Sequence, residues 1–278
     1  MSCQNSTSLW GAEQPAMDSK GYSKSSTNEN SELTATGAQD SSVPLLQPQH
    51  IWILGAGHFG RLAAKRLSRR FPDASFLVID NRPDRLEEIE GAYKLPVSLA
   101  DATNFLNTND LSEDLWIIPA VPVHVAFLWL LHQLQHSGPV HPMPVPDEVD
   151  AMIPNPYRVS SGTVYASFAT FRCPDACSEP DDLCTHTRRP RLGSLFEHLA
   201  RLQARQYHME VIRSRQLAPG VGGYRAAQLC ASLERIERQP TKYLIATSCR
   251  CHAVIDALIF QGGRRNDDQE FPHQGQRA

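Results

Sequence analysis

The chain has 278 residues, of which 41% are hydrophobic and 21% are charged, and its formal net charge at pH 7 is −3. This length and composition are typical of a soluble globular protein with one large or two modest domains. The charge excludes a broad electrostatic attraction to nucleic acid or to an anionic membrane surface. The start of the chain lacks the pattern of a secretory signal, so we expect a cytoplasmic protein with reduced thiols.

The first part of the chain divides into a polar leader and the beginning of a sheet. Residues 1–49 are rich in Ser, Thr, Asn, Gln and Gly without a helical or strand period, which predicts a disordered leader. From His50, the strand-like "HIWIL" is followed by a glycine turn, a segment with helical spacing and a second strand, "SFLVID". This order predicts a parallel sheet with a right-handed crossover, in a Rossmann-like domain over residues 50–137.

Further helices and strands continue the alternation. We predict a helix at Pro83–Glu90, a strand at Pro96–Leu99, a strand at Leu115–Ile118 and a helix at Val123–Leu134. The run "LWIIPAVPVHVAFLWLL" is nearly uncharged, but its prolines and histidine argue against a membrane span and favour buried core. Six prolines within residues 138–157 predict a stiff connector between two domains.

The remainder of the chain predicts a second α/β domain, over residues 158–261. "GTVYASFATF", "MEVIRS" and "KYLIAT" are strand patterns, whereas "LGSLFEHLARLQ" and "YRAAQLCASLERIER" are helical. "APGVGG" is interpreted as a glycine turn and "HAVIDALIF" as a closing helix. Residues 262–278 have no apolar period and predict a flexible tail.

The sequence "GAGHFG" carries the strongest functional signal. Gly55, Gly57 and Gly60 have the G-x-G-x-x-G spacing between a strand and a helix, with His58 and Phe59 inside the turn. In that context the glycines allow a tight turn, the approach of a pyrophosphate and close packing of the helix on the strand. A carboxylate about 20 positions further on accepts hydrogen bonds from the adenosine ribose, and Asp80 stands there. This favours NAD over NADP, although Arg82 nearby leaves a 2′-phosphate possible.

With these residues the chain resembles the nucleotide-binding domain of the RCK, or TrkA-N, regulators of potassium transport. "HIWILGAGHFGRLAAKRL", "FLVIDNRPDRLEEIEG" and "VSLADAT" carry the resemblance, which covers about residues 50–134. The resemblance implies that Asp101 joins the glycines and Asp80 in the nucleotide pocket. It also implies NAD(H) as ligand, a homodimer, and a role as a cytoplasmic regulatory subunit beside a membrane transporter.

Cysteines are concentrated in two loops of the second half, each after a predicted strand. The clustered cysteines are Cys173, Cys177, Cys184, Cys249 and Cys251, and His252 follows directly. Strand ends that meet at one sheet edge would bring these side chains together, which predicts a metal site for Zn²⁺ or an iron–sulfur cluster. A thiol switch at Cys249 and Cys251, or thiols without a common role, are the alternatives.

Other motifs are less specific. Gly220, Gly222 and Gly223 with Arg213 and Arg215 before them are a second candidate anion site, although a plain turn fits equally well. His124 and His132 flank an apolar helix and are interpreted as structural, and no catalytic residues are identified by spacing.

We therefore predict an NAD(H)-binding regulatory or redox-sensing protein with a cysteine-bound metal centre. The alternatives are an NAD-dependent oxidoreductase that uses an iron–sulfur centre, and the potassium-transport subunit.

Overall fold

The computed structural model describes residues 47–263. Residues 1–46 and 264–278 lie outside the described residues, and with them nearly all of the predicted leader and tail. The twelve strands described are β1 (His50–Leu54), β2 (Ser75–Asp80), β3 (Val97–Leu99), β4 (Leu115–Pro119), β5 (Val140–Met143), β6 (Tyr157–Arg158), β7 (Val164–Ser167), β8 (Tyr207–Arg213), β9 (Arg215–Ala218), β10 (Val221–Arg225), β11 (Lys242–Ser248) and β12 (His252–Phe260). The six α-helices described are α1 (His58–Arg70), α2 (Pro83–Tyr93), α3 (Ala102–Thr108), α4 (Val125–Leu134), α5 (Leu195–Ala200) and α6 (Ala226–Arg238).

The first sheet has the strand order β3-β2-β1-β4-β10-β9. Strands β1 to β4 are parallel, and β1 lies in the middle, with Ile53 opposite Val78 on one side and Ile118 on the other. Every residue of β4 is buried, which explains its continuous apolar sequence. The predicted α/β fold with a Rossmann-like parallel sheet is confirmed.

Helices cover both faces of this sheet. Ile51, Ile53 and Val78 pack against α1 and α2 on one face. On the other face, Leu54 and Ile117 pack against α3, α4 and α6. Alternate residues of each strand therefore belong to different cores, as the period of two requires.

The glycine-rich segment before α6 is a β-hairpin, contrary to its interpretation as a turn that opens a helix. Strands β9 and β10 pair antiparallel, and β10 pairs antiparallel with β4, so that Tyr224 lies opposite Ile117. The hairpin thus extends the first sheet, although it lies more than 70 residues beyond the predicted end of the first domain. Local glycine spacing did not distinguish a hairpin from a phosphate-type turn.

The second sheet has the order β6-β7-β12-β11-β8, with β5 also paired to β12. The predicted closing helix "HAVIDALIF" is wrong, because these residues form the central strand β12. β12 pairs antiparallel with β11 on one side and with β7 and β5 on the other. It is buried along nearly its whole length, and a short buried apolar run does not distinguish a strand from a helix.

The two sheets share a common core. α4 and α6 lie between them, and Leu130 and Leu229 belong to one buried cluster with Ile245 of β11 and Phe260 of β12. The other face of the second sheet is covered by α5. The segment predicted as a connector also contributes β5 and a 3-10 helix at Asp147–Met152. The predicted domain limits stay a prediction, and β5, β9 and β10 show that the chain passes between the sheets more than once.

Gly60 holds α1 against the glycine turn. A β-carbon at Gly60 would overlap the carbonyl oxygen of Gly55, which belongs to the rigid backbone. We expect Gly60→Ala to lower the free energy of unfolding by about 3 kcal/mol, which lowers the melting temperature by about 6–12 °C in calorimetry. Gly91→Ala is the control, because nothing lies within 4 Å of that position in α2 and alanine favours the helix. Equal melting temperatures of Gly60→Ala and the wild type would show that the packing is not as described.

Candidate functional site

The glycine turn lies at the carboxyl edge of the first sheet, where the strand order reverses. Strand β1 has β2 on one side and β4 on the other, and the amide of Gly55 donates to the carbonyl of Ile79 at 2.6 Å. On the other side, the amide of Ala120 donates to the carbonyl of Leu54 at 2.7 Å. In open α/β sheets this switch point is where ligands bind.

The space above Gly57 is open. Gly57 is the N-cap residue of α1, and no side chain caps this helix end. Apart from its chain neighbours, a β-carbon at Gly57 would meet only Nη1 of Arg85, at 3.8 Å. Packing within the protein therefore does not require a glycine here, in contrast to Gly60. The opening, beside the first amides of a helix, fits an anionic group such as a pyrophosphate.

Asp80 ends β2 beside the turn and is only 5% exposed. Its Oδ2 accepts from the amide of Ala56 at 2.6 Å, and its Oδ1 accepts from the amide of Arg82 at 2.9 Å. Nη1 of Arg85 lies 3.6 Å from the same Oδ2. A carboxylate offers about four acceptor positions, so two stay available for ribose hydroxyls. Asp80 thus fixes the turn and keeps acceptor capacity.

The other predicted nucleotide residues have separate surroundings. Asp101 is exposed and caps α3, since its Oδ1 accepts from the amides of Thr103 at 3.0 Å and Asn104 at 2.9 Å. It lies two residues beyond β3, at the same sheet edge as Asp80. His58 lies between the turn and a loop of the second half, where its Nε2 is 2.9 Å from Oδ2 of Asp175.

The predicted cysteine residues line one cavity of about 390 Å³. Its wall includes Cys173, Cys177, Cys184, Cys249, Cys251, His252 and the ring of Phe59. The two loops meet because β7 pairs antiparallel with β12, so that Ser167 at the end of β7 lies opposite His252 at the start of β12. Cys249 and Cys251 lie in the tight turn between β11 and β12. The structure thus brings together all five cysteines on which the metal prediction rests.

Contacts within this cavity involve thiols, an imidazole and a guanidinium. The Sγ of Cys173 lies 3.5 Å from Nε2 of His252, and the Sγ of Cys249 lies 3.8 Å from its Nδ1. Nη1 of Arg191 donates to the Sγ of Cys251 at 2.5 Å. Within residues 47–263, no three His, Cys, Asp or Glu side chains are arranged to hold a metal ion. The metal site therefore stays a prediction.

The cavity suppresses ionisation of the deeper groups. Burial, followed by repulsion from the other cysteines, raises the pKa of Cys173 to about 12, and burial raises the pKa of Cys249 well above its usual value. Burial lowers the pKa of His252 to about 4, so its imidazole is neutral and can accept a cation. Burial also acts to raise the pKa of Cys184, but hydrogen bonds from Thr187 outweigh it and the net shift is downward.

Asp175 and Arg191 were missed by sequence reasoning, although both contact predicted residues. Asp175 lies between Cys173 and Cys177, but its contact with α1 depends on residues more than 100 positions away. His124, interpreted as structural, is buried and lies 2.7 Å from Asp256 and 3.0 Å from Thr247, which ties α4 to the second sheet.

The structure contains no helix in its described part that has the length and apolar character of a membrane span. Residues 51–113 match the family model of the TrkA-N domain. Residues 126–261 match a model described as the C-terminal domain of an uncharacterized protein.

A protein of Archaeoglobus fulgidus, itself described as uncharacterized, is 29% identical over 226 residues. This similarity covers 74% of the present chain and 97% of the relative. No solved structure matches the chain. The resemblance predicted from the glycine turn is confirmed over part of the chain, since residues 51–113 match the TrkA-N domain model.

Proposed function

We propose that this protein binds NAD(H) at the Gly55–Gly60 turn and acts as an RCK-like regulatory or redox-sensing protein. The TrkA-N domain supports dinucleotide binding in general terms. The observation that carries the proposal is the open space at Gly57, at the N-terminal end of α1, where a pyrophosphate can approach the backbone. The backbone at Gly57 receives the pyrophosphate, Gly55 and Gly60 allow the tight turn and the close packing of α1, and Asp80 and Asp101 border the adenosine ribose.

NAD is the preferred form of the dinucleotide. Asp80 at the end of β2 repels a 2′-phosphate, whereas ribose hydroxyls donate to it. Arg82, the residue that left NADP possible, makes two hydrogen bonds to Asp84, at 2.6 and 3.1 Å. Its charge is therefore matched within the protein, which supports NAD over NADP.

The dinucleotide site is coupled to the cysteine loop, residues 173–184. Nε2 of His58 lies 2.9 Å from the carboxylate of Asp175, and Nη1 of Arg66 donates to the backbone carbonyl of Asp175 at 2.7 Å. Phe59, in the glycine turn, lines the cysteine cavity. A dinucleotide that displaces or orders His58 therefore changes the contacts of Asp175 and the position of the cysteines beside it.

The cysteine cavity is proposed to bind a metal. Thiolates and a neutral imidazole are the ligands preferred by Zn²⁺, and thiolates alone suit an iron–sulfur cluster. The wall carries five thiols and His252, and a bound cation relieves the repulsion that opposes ionisation of these thiols to thiolates. The chemistry of the donors fits, and binding requires the thiols to rotate from their present positions into a common ligand geometry.

An NAD-dependent oxidoreductase is the second candidate. Phe59 belongs both to the glycine turn and to the wall of the thiol cavity, so a dinucleotide and an iron–sulfur centre would be neighbours. TrkA-N domains also commonly associate with transporters, and a homodimer beside a membrane transporter is the third candidate.

The coupling is tested by hydrogen exchange of residues 172–184 with and without NADH. We expect NADH to slow exchange severalfold in the wild type, and Asp175→Ala to lose this effect while it binds NADH within about threefold of the wild-type affinity. Asp182→Ala is the matched control, because it removes an exposed carboxylate of the same loop that has no ion pair within residues 47–263. An equal NADH effect in Asp175→Ala and in the wild type would disprove the coupling.

A further inference from the structure

A second cavity, of about 340 Å³, is rich in arginine and adjoins the thiol cavity. Its wall includes four arginines from three separate segments, namely Arg70, Arg213, Arg215 and Arg250. Glu179, Ser214 and Gln216 belong to the walls of both cavities. None of these residues belongs to the proposed dinucleotide site.

Positive charge in this second cavity exceeds negative charge. Its two carboxylates both contact Arg250: Glu179 accepts from the amide of Arg250 at 2.8 Å, and Asp181 lies 2.5 Å from its guanidinium. Across residues 47–263, neither Arg70 nor Arg215 has an ion pair with a carboxylate. Two arginines of the cavity wall thus have no matching carboxylate in the described part of the chain.

Hydrogen-bonding capacity is also unused in the wall between the two cavities. Ser214 is only 6% exposed, and its hydroxyl has no hydrogen-bond partner among residues 47–263. Gln216 donates through its amide nitrogen to the carbonyl of Cys177, and its Oε1 has no partner in the described part of the chain. A buried polar group without a partner is unfavourable, so such groups favour a bound polar ligand at this wall.

We infer that this cavity binds a small phosphate or carboxylate anion that also carries a hydroxyl group. Arginine is suited to both anions because its planar guanidinium donates two parallel hydrogen bonds. Both polar atoms are buried at present, so a rotamer change of Ser214 brings its hydroxyl to the anion, and a rotation of the Gln216 side chain brings its Oε1 to the hydroxyl of the ligand. The inference does not depend on the proposed function.

The pyrophosphate of a dinucleotide does not account for these features. His58 and Arg70 are the first and last residues of α1, so about 18 Å of helix separates the glycine turn from the arginine cavity. A ligand here would instead lie against Gln216, which contacts the carbonyl of Cys177 in the cysteine loop. The anion is therefore a second ligand, bound next to the thiols.

The test is calorimetric titration of the full chain with glycerol 3-phosphate, with inorganic phosphate and with glycerate, at an ionic strength held constant with NaCl. We expect saturable binding of at least one of the two hydroxylated probes, and a loss of at least about tenfold in Arg70→Ala and in Arg215→Ala. Ser214→Ala should weaken the hydroxylated probe severalfold. NADH binding should stay unchanged in all three variants, which separates this test from that of the dinucleotide site.

Arg69→Ala is the matched control, since Arg69 is the neighbour of Arg70 on α1 but is not part of the cavity wall. Both side chains are exposed, so neither substitution disturbs the core. Absence of saturable binding by the wild type, or an equal loss in Arg69→Ala and Arg70→Ala, would overturn the inference. Stronger binding of inorganic phosphate than of glycerol 3-phosphate would contradict the proposed hydrogen bond from the hydroxyl of the ligand to Oε1 of Gln216.

Discussion

Gly57→Val is expected to weaken NADH binding by at least about 100-fold, equivalent to about 2.7 kcal/mol, while the protein stays folded. The valine side chain occupies the space above the first turn of α1, where a pyrophosphate must approach the backbone. Because a β-carbon there meets only Arg85 at 3.8 Å, the melting temperature should stay within about 4 °C of the wild type. Calorimetric titration with NADH and a thermal melt measure the two effects.

Two control variants make this result specific. Gly57→Ala adds only one methyl group and should lose less affinity than Gly57→Val. Gly91→Ala, in α2, should bind NADH like the wild type, because that position is surrounded by open space. Wild-type affinity in a folded Gly57→Val variant would exclude the glycine turn as the dinucleotide site.

Loss of bound metal from cysteine variants is the second large effect that we expect. Protein purified without oxygen should carry about one zinc ion or one iron–sulfur cluster per chain, measured by elemental analysis. Cys173→Ser combined with Cys251→Ser should reduce this content to near zero, since the double variant removes one thiol from each of the two loops that meet at the cavity. Elemental analysis distinguishes the two centres, because one contains zinc and the other iron. An iron–sulfur cluster also gives visible absorbance that bleaches on reduction.

Cys230→Ala provides the control for this experiment. Cys230 lies in α6 and packs against the core between the sheets, away from the thiol cavity. Its variant should keep the full metal content. Metal-free wild-type protein after anaerobic purification, or equal metal content in the double variant and in Cys230→Ala, would contradict the proposed centre.

Local sequence patterns correctly predicted the helices and strands that bury only one face, and those whose ends are marked by a turn or by a change in hydrophobic period. β1, α1 and β2 follow directly from "HIWILGAGHFG" and "SFLVID", because the glycine turn and the change of period mark their limits. Helix α3 was not predicted, since it has seven residues and only two of them are buried. Its start is nevertheless marked by Asp101, a favourable N-cap residue.

The errors arose where pairing between distant segments decides the structure. β12 is largely apolar because it is a central strand with partners on both sides. The pairing of its Ile255 with Ala246 and Val164 involves segments up to 91 residues apart. The β9–β10 hairpin joins the first sheet through β4, more than 100 residues earlier. The hydrophobic periodicity within a segment does not indicate which distant strands will pair with it.

In the candidate site too, the features set by local sequence were predicted, whereas a contact between distant segments was not. Gly57 and Asp80 were identified from spacing alone, because the chemistry of a dinucleotide requires those residue types at that spacing. The convergence of the cysteine loops was predicted from the positions of strand ends, although it depends on the antiparallel pairing of β7 with β12. The contact between His58 and Asp175 could not be predicted, because it depends on how the second half of the chain packs on α1.

The measurement that tests the central claim most directly is calorimetric titration of the folded wild-type chain with NADH, NAD and ADP. Dinucleotide binding at the glycine turn predicts saturable heat, about one NADH per chain, and weaker binding of ADP, which lacks half of the dinucleotide. Absence of heat with all three ligands, from protein whose thermal melt is cooperative, would contradict the assignment of this turn as a dinucleotide site.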